Sequence, residues 1–302
     1  MASRSRPSLS FRIPSLLFLL LIACPALTTS AGDSRSLLEK AFACVQGKDY
    51  ATARRLYGEV LDEDPGNPEA LYRMGILAFL EKDYAGAASY HERSVNADPG
   101  RQDAWKRLGD AYDKLGRHRE AAESYGRACQ VEYQRPLKEK EGVAWSSARE
   151  LDKAGKIFES LILDDPGDYH AVYYLGNVLL AQGDTARAER CYLAAIRLRP
   201  ELVEAYVNLA AVRFGQGRHA EAAELLEKTF QVSPRSAPVD PAVRLNLGVA
   251  YLKVPDPEKA KAHLQKYLDL CPACAQAEEV RKWVRKLEAE STSSQKGSQT
   301  AP

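Results

Sequence analysis

The stretch AWKRLGDAYDKLGRHREAAESYGRA, residues Ala104 to Ala128, decides the fold. Trp105, Leu108, Gly109 and Tyr112 recur three or four residues apart, the spacing of one buried helix stripe. Gly116 breaks that helix, and a second pattern follows with Ala121, Tyr125 and Ala128 on one face. Two amphipathic helices around a short glycine turn make a helical hairpin. A hairpin of this size cannot bury its apolar face alone, so it needs copies of itself alongside.

The copies are present. Ala121 has counterparts at Ala53, Ala87, Ala154, Ala188, Ala222 and Ala260, in steps of 34, 34, 33, 34, 34 and 38 residues from residue 53 onward. Gly109 recurs as Gly75, Gly142, Gly176 and Gly248, with Ala41 and Ala210 in the other two copies. A proline closes six of the seven units, at Pro65, Pro99, Pro166, Pro200, Pro234 and Pro272, and Tyr133 replaces it in the third. Glycine inside a helix costs about 0.5–1 kcal/mol relative to alanine. Its return at one register therefore implies a packing reason: the two helices of a hairpin touch there.

These residues resemble the tetratricopeptide repeat (TPR), a unit of 34 residues with the pattern W-x2-L-G-x2-Y, then Ala, an aromatic and Pro. The resemblance covers residues 34 to 274 and implies an all-α, right-handed α-solenoid of about seven helix-turn-helix hairpins. The units run 34–67, 68–101, 102–134, 135–168, 169–202, 203–236 and 241–274. The fourth is the poorest, because Arg149 stands where the third has Gly116 in its turn. Residues 275–290 carry a narrow stripe of Val280, Trp283, Val284 and Leu287, expected to form a capping helix with a polar outer face. Residues 291–302 are polar and expected to be disordered.

The other end reads differently. Arg4, Arg6 and Arg12, with no acid, precede the apolar run SLLFLLLIA from Ser15 to Ala23, and Cys24 follows. A basic start and a short apolar core mark a secretory signal, here residues 1–24. The run is too short to span a bilayer comfortably, so no transmembrane helix is expected in the mature chain. Two cleavage sites compete. Leu21-Ile22-Ala23-Cys24 resembles the bacterial lipobox, in which the cysteine is lipidated and anchors the protein without spanning the membrane. Thr29-Ser30-Ala31 resembles an ordinary signal peptidase site before Gly32. The first is preferred because Cys24 ends the apolar run, leaving residues 25–33 as a linker. The resemblance to bacterial exported TPR lipoproteins implies the periplasmic side of the envelope. Because Pro25 is not the aspartate of inner-membrane retention, it implies the outer membrane in a Gram-negative cell.

Charge and motifs narrow the function. The formal net charge of +1 gives no bias toward nucleic acid, and removing the signal leaves 39 basic against 41 acidic residues. The chain carries no G-x-S-x-G, phosphate-binding loop, H-E-x-x-H or dinucleotide-binding glycine motif, so no catalytic set and no cofactor are assigned. Cys271 and Cys274 form a C-x-x-C without the further ligands zinc needs. A local disulfide or a thiol-disulfide oxidoreductase remain its readings, although the βαβ setting of the redox motif is missing. Cys44, Cys129 and Cys191 read as small buried residues, and His91, His118 and His219 fill packing or turn slots. His170 and His263 have no evident partner.

Recognition is left. In TPR proteins the slot two residues before the repeat glycine faces a concave groove. Here it holds Glu39, Arg73, Arg107, Lys140, Tyr174, Asn208 and Asn246, with Asn177 on the same side. Amides in that slot can grip the backbone of an extended peptide, and cations can receive its carboxylates, so an acidic protein or peptide partner is expected. Asn177 and Asn208 match the amide pair of the TPR clamp for a C-terminal carboxylate, but Tyr173, Ala242 and Asn246 occupy its cation slots, which rejects that clamp. The resulting expectation is a non-catalytic scaffold, exported and lipid-anchored, that helps assemble an envelope complex. An accessory repeat subunit of a separate enzyme would look the same in sequence.

Overall fold

A computed structural model describes residues 31–232 and 240–298, and every structural statement below refers to these. The signal segment with Cys24, most of the 25–33 linker, residues 233–239 with the closing Pro234 of the sixth unit, and residues 299–302 lie outside them. The described residues form fifteen α-helices and no strand. In chain order these are α1 (Ala31–Gln46), α2 (Tyr50–Glu63), α3 (Pro68–Leu80), α4 (Tyr84–Ala97), α5 (Gln102–Lys114), α6 (His118–Val131), α7 (Arg135–Ser147), α8 (Leu151–Asp164), α9 (Tyr169–Ala181), α10 (Thr185–Leu198), α11 (Val203–Gly215), α12 (His219–Val232), α13 (Pro241–Lys253), α14 (Pro257–Leu270) and α15 (Ala277–Ser298).

Two compact units divide the chain. The first ends at Pro65 and contains the α1–α2 hairpin. The second begins at Gly66 and holds six hairpins and α15, with each helix from α4 onward packed on the one before it.

Six of the seven hairpins turn in the same way. Helix caps supply part of the reason: Asp49, Asp83, Asp184 and Asp256 each accept the backbone N–H three residues on, opening α2, α4, α10 and α14. The turn itself requires one left-handed residue. It is Gly116, Gly183 or Gly217 in three hairpins, and Lys48, Lys82 and Arg149 adopt φ near +64° in three more, whereas the α13–α14 turn through Pro255 has no left-handed residue. The fourth unit thus keeps the turn without its glycine, at the strain a side chain pays there.

The packing reason for the repeat glycines is visible. A Cβ on Gly109 would lie 2.6 Å from the Tyr125 ring, on Gly142 2.8 Å from Phe158, and on Gly176 2.8 Å from Tyr192. Gly75 meets the His91 ring and Gly248 the Leu264 side chain in the same way. In each case the second helix lays the side chain sixteen residues on against bare backbone. The repeat alanines Ala53, Ala87, Ala121, Ala154, Ala188 and Ala260 are wholly buried.

Helix α15 covers the last hairpin through buried Val280, Val284 and Leu287, in one cluster with Leu264 and Leu268. Two boundaries differ from expectation. Helix α1 begins at Ala31, inside the expected linker, and α15 continues to Ser298, eight residues past the expected end at Glu290. Extending a formed helix costs far less than nucleating one.

Candidate functional site

Arg73, Arg107, Lys140, Tyr174, Asn208 and Asn246 of the expected ladder lie on the first helices of the second unit and none is buried, but the cations are engaged with acids. Arg73 donates from Nε to Glu69 Oε1 at 2.6 Å, and Arg101 pairs with the same carboxylate. Lys140 on α7 reaches back thirty residues to Asp110 Oδ1 at 2.6 Å, and Arg107 lies 3.7 Å from Asp110 Oδ2. The Tyr125 hydroxyl donates to Asp110 at 2.9 Å, and Lys140 sits over the Tyr125 ring at 5.3 Å. Burial, with the Asp110 charge beside it, pushes the Tyr125 phenol well above its ordinary range. Arg73, Arg107 and Lys140 are therefore not a row of unpaired cations. Helical spacing put acids within reach, Glu69 four residues before Arg73 and Asp110 three after Arg107.

The amides also differ from a peptide-ready pair. Asn177 Oδ1 accepts from the Tyr192 hydroxyl and from Asn208 Nδ2, both at 2.8 Å, and Asn208 Nδ2 lies 3.1 Å from the Tyr173 hydroxyl. This network ties α9 to α11 and occupies both N–H donors of Asn208 and the side-chain oxygen of Asn177, which a peptide backbone would otherwise take. Tyr174 stacks on Phe158 with ring centroids 5.4 Å apart. Asn246 is exposed on α13.

These residues border two hollows. A cavity of about 470 Å³ is lined by Asp110, Asp113, Lys114, Glu139, Lys140 and Tyr174, among others. Its charges are mixed, with burial pushing the Glu139 carboxyl up while His170, 3.9 Å away, partly offsets that. A smaller, uncharged cavity of about 180 Å³ lies between α11, α12 and α13, with Asn246 at its edge. Its one sequence signal was Ala210 in the register of the repeat glycine, with Leu226 sixteen residues on.

The remaining candidates are also placed. Cys271 and Cys274 are joined as a disulfide in the loop between α14 and α15, where Arg281 donates to the Pro272 carbonyl at 2.6 Å. Cys44, Cys129 and Cys191 are half-buried, and burial pushes the Cys129 and Cys191 thiols up. His170 and His263 do have neighbours: Glu139 for the first, and for the second Arg244 at 3.1 Å.

Two family models, both described as tetratricopeptide repeat, match residues 45–101, 146–188 and 173–231, and residues 78–128 and 213–281. The chain is a member of the TPR family. Its repeats are those of a protein-interaction scaffold, and proteins of this fold are as a rule non-catalytic. Among curated proteins, this TPR chain is 30% identical over 135 residues to Protein CTR9 homolog of Arabidopsis thaliana, covering 45% of this chain and 12% of that one. It is 26% identical over 132 residues to Protein O-mannosyl-transferase TMTC1 of Homo sapiens, covering 44% of this chain and 15% of that one. The matches thus span under a sixth of each relative's length. A solved tetratricopeptide repeat protein from Parabacteroides merdae superposes with a TM-score of 0.60 at 16% identity, over 85% of this chain and 99% of that one, a likeness of fold alone.

Proposed function

We propose that this TPR protein is an exported scaffold, anchored by lipid on Cys24 at the periplasmic side of the envelope, that holds an extended segment of a partner protein along its first helices. The observation that carries the recognition reading is the joining of successive first helices by polar side chains on one face. Lys140 bonds to Asp110 from α7 to α5, and Asn208 to Asn177 from α11 to α9. Such contacts hold the face to one shape before a ligand arrives, which lowers the ordering cost of binding. A partner carboxylate would compete with Asp110 for Lys140 and Arg107, and a partner backbone amide would compete for Asn177 and Asn208. The same polar groups that brace the stack thereby become its contacts with an acidic, extended partner during assembly of an envelope complex.

The export and anchoring part rests on the Arg-rich start, the Ser15–Ala23 run and Cys24. Intact mass of the mature N-terminus tests it. Diacylglycerol on Cys24 is expected, and a free N-terminus at Gly32 would replace anchoring with ordinary cleavage. For recognition, the mature protein and an Arg73→Ala/Arg107→Ala/Lys140→Ala variant are compared in capture from envelope extracts. Weaker capture by the variant is expected, and equal capture would remove the cations from the site.

A further inference from the structure

The sixth hairpin departs from the other hairpins of the second unit by carrying Ala210 where they carry the repeat glycine. In α4, α6, α8 and α10 the side chain lying on that glycine is a ring, His91, Tyr125, Phe158 and Tyr192, and in α14 it is Leu264. In the sixth hairpin that register pairs Ala210 with Leu226. A cavity of about 180 Å³ adjoins both residues, between α11, α12 and α13. Its walls are Val207, Ala211, Phe214, Leu226 and Val249, and Asn246 is the single polar side chain lining it. Its exposed lining residues, Ala211 and Asn246, lie on the first helices α11 and α13.

We propose that this cavity is a socket for one bulky apolar side chain of an uncharged, extended partner segment, with the Asn246 amide bonded to that segment's backbone. The inference rests on the reading that the first-helix face holds a partner and adds what the partner must carry. Size is the first argument. An apolar cavity of about 150 Å³ accepts a benzene ring, so about 180 Å³ holds one leucine-to-phenylalanine-sized side chain. Charge complementarity is the second. The larger hollow over α5 and α7 is lined by Asp110, Asp113, Lys114, Glu139 and Lys140, whereas no residue lining the socket is charged. A charged side chain entering it would lose its hydration and meet no counter-charge, while an apolar one gains by leaving water. Asn246 supplies one acceptor and two donors at the edge, the complement of a peptide backbone passing across it. The face therefore sorts its partner along its length, with charged residues toward α5 and α7 and an apolar anchor at α11–α13.

The test is a phage library of random dodecapeptides selected on the whole chain, followed by synthesis of the winning peptide. Selected peptides are expected to share one Leu, Met or Phe flanked by uncharged residues. Changing that residue to Ala should weaken binding to the native chain at least tenfold. The same change should cost less than twofold against Ala211→Trp, which fills the socket from its exposed rim. Val249→Trp serves as a second filled variant, and both are checked for native helix content and melting temperature. Peptides that bind native and filled proteins equally, or that lack an apolar anchor, overturn the socket. If such peptides nevertheless lose binding in Arg107→Glu/Lys140→Glu, the face still binds partners and only the socket falls. A library that yields no binder overturns both readings.

Discussion

His91 is fully buried against Gly75, and neither ring nitrogen has a hydrogen-bond partner among the described residues. The slot explains its neutral form. Where the side chain on the repeat glycine bears a hydroxyl, the residue after the glycine accepts from it: Asp110 for Tyr125 and Asn177 for Tyr192. Where that side chain is Phe158, the residue is Val143, and opposite His91 it is Ile76. Burial drives the imidazole down to about 4, Arg107 pushes the same way, and Asp103 and Asp110 oppose. The folded chain therefore refuses a proton that the unfolded chain accepts near pH 6.5. Stability from this site is complete above the unfolded value and drains away as pH falls from there toward about 4. The full difference corresponds to about 3 kcal/mol. His91→Phe copies the Phe158 slot and removes the proton site. We expect wild type to lose about 2–3 kcal/mol more than His91→Phe between about pH 7 and about pH 4.5. Urea unfolding by circular dichroism measures this, with amide exchange in α3 and α4 as the local reading, because long repeat arrays need not unfold in one step. Equal acid sensitivity of the two proteins, or an NMR titration giving His91 an ordinary imidazole pKa, refutes the reasoning.

Gly109→Ala puts a methyl 2.6 Å from the Tyr125 ring and should cost about 1–3 kcal/mol, read as a lowered melting temperature. Asp110→Ala should cost a similar amount, about 1–3 kcal/mol, by orphaning Lys140 and the Tyr125 hydroxyl. It should also bring the Tyr125 phenol back toward its ordinary range, seen in an ultraviolet tyrosinate titration. Reduction of the Cys271–Cys274 disulfide frees the loop before α15, and closing so short a loop contributes at most about 2 kcal/mol. The melting temperature should fall on adding reductant to wild type and stay unchanged for Cys271→Ser.

The fold was legible because a solenoid writes one packing problem several times. Alanine, glycine and proline markers in a shared register gave the hairpins, and the close approach of a second-helix side chain to each repeat glycine is the contact they implied. Arg149 shows why a missing marker did not break the pattern: the turn needs a left-handed residue, and the stack around it holds an arginine there as it holds Lys48 and Lys82. The functional face was legible only in part. Register placed Arg73, Arg107, Lys140, Asn177 and Asn208 on it, but a single slot per repeat cannot show which neighbours those side chains reach. Asp110 belongs to another slot, and the contact that binds it to Lys140 crosses thirty residues of sequence. The socket escaped for the opposite reason. It adjoins the place where Ala210 replaces the repeat glycine opposite Leu226, and consensus matching discards such departures.

The account depends most on the first-helix face being the working surface. Hydrogen exchange on the full chain, with and without a bound peptide from the library selection, tests this directly. Added protection is expected in α5, α7, α9, α11 and α13. Protection confined to the second helices α6, α8, α10 and α12, or to α15, would contradict it.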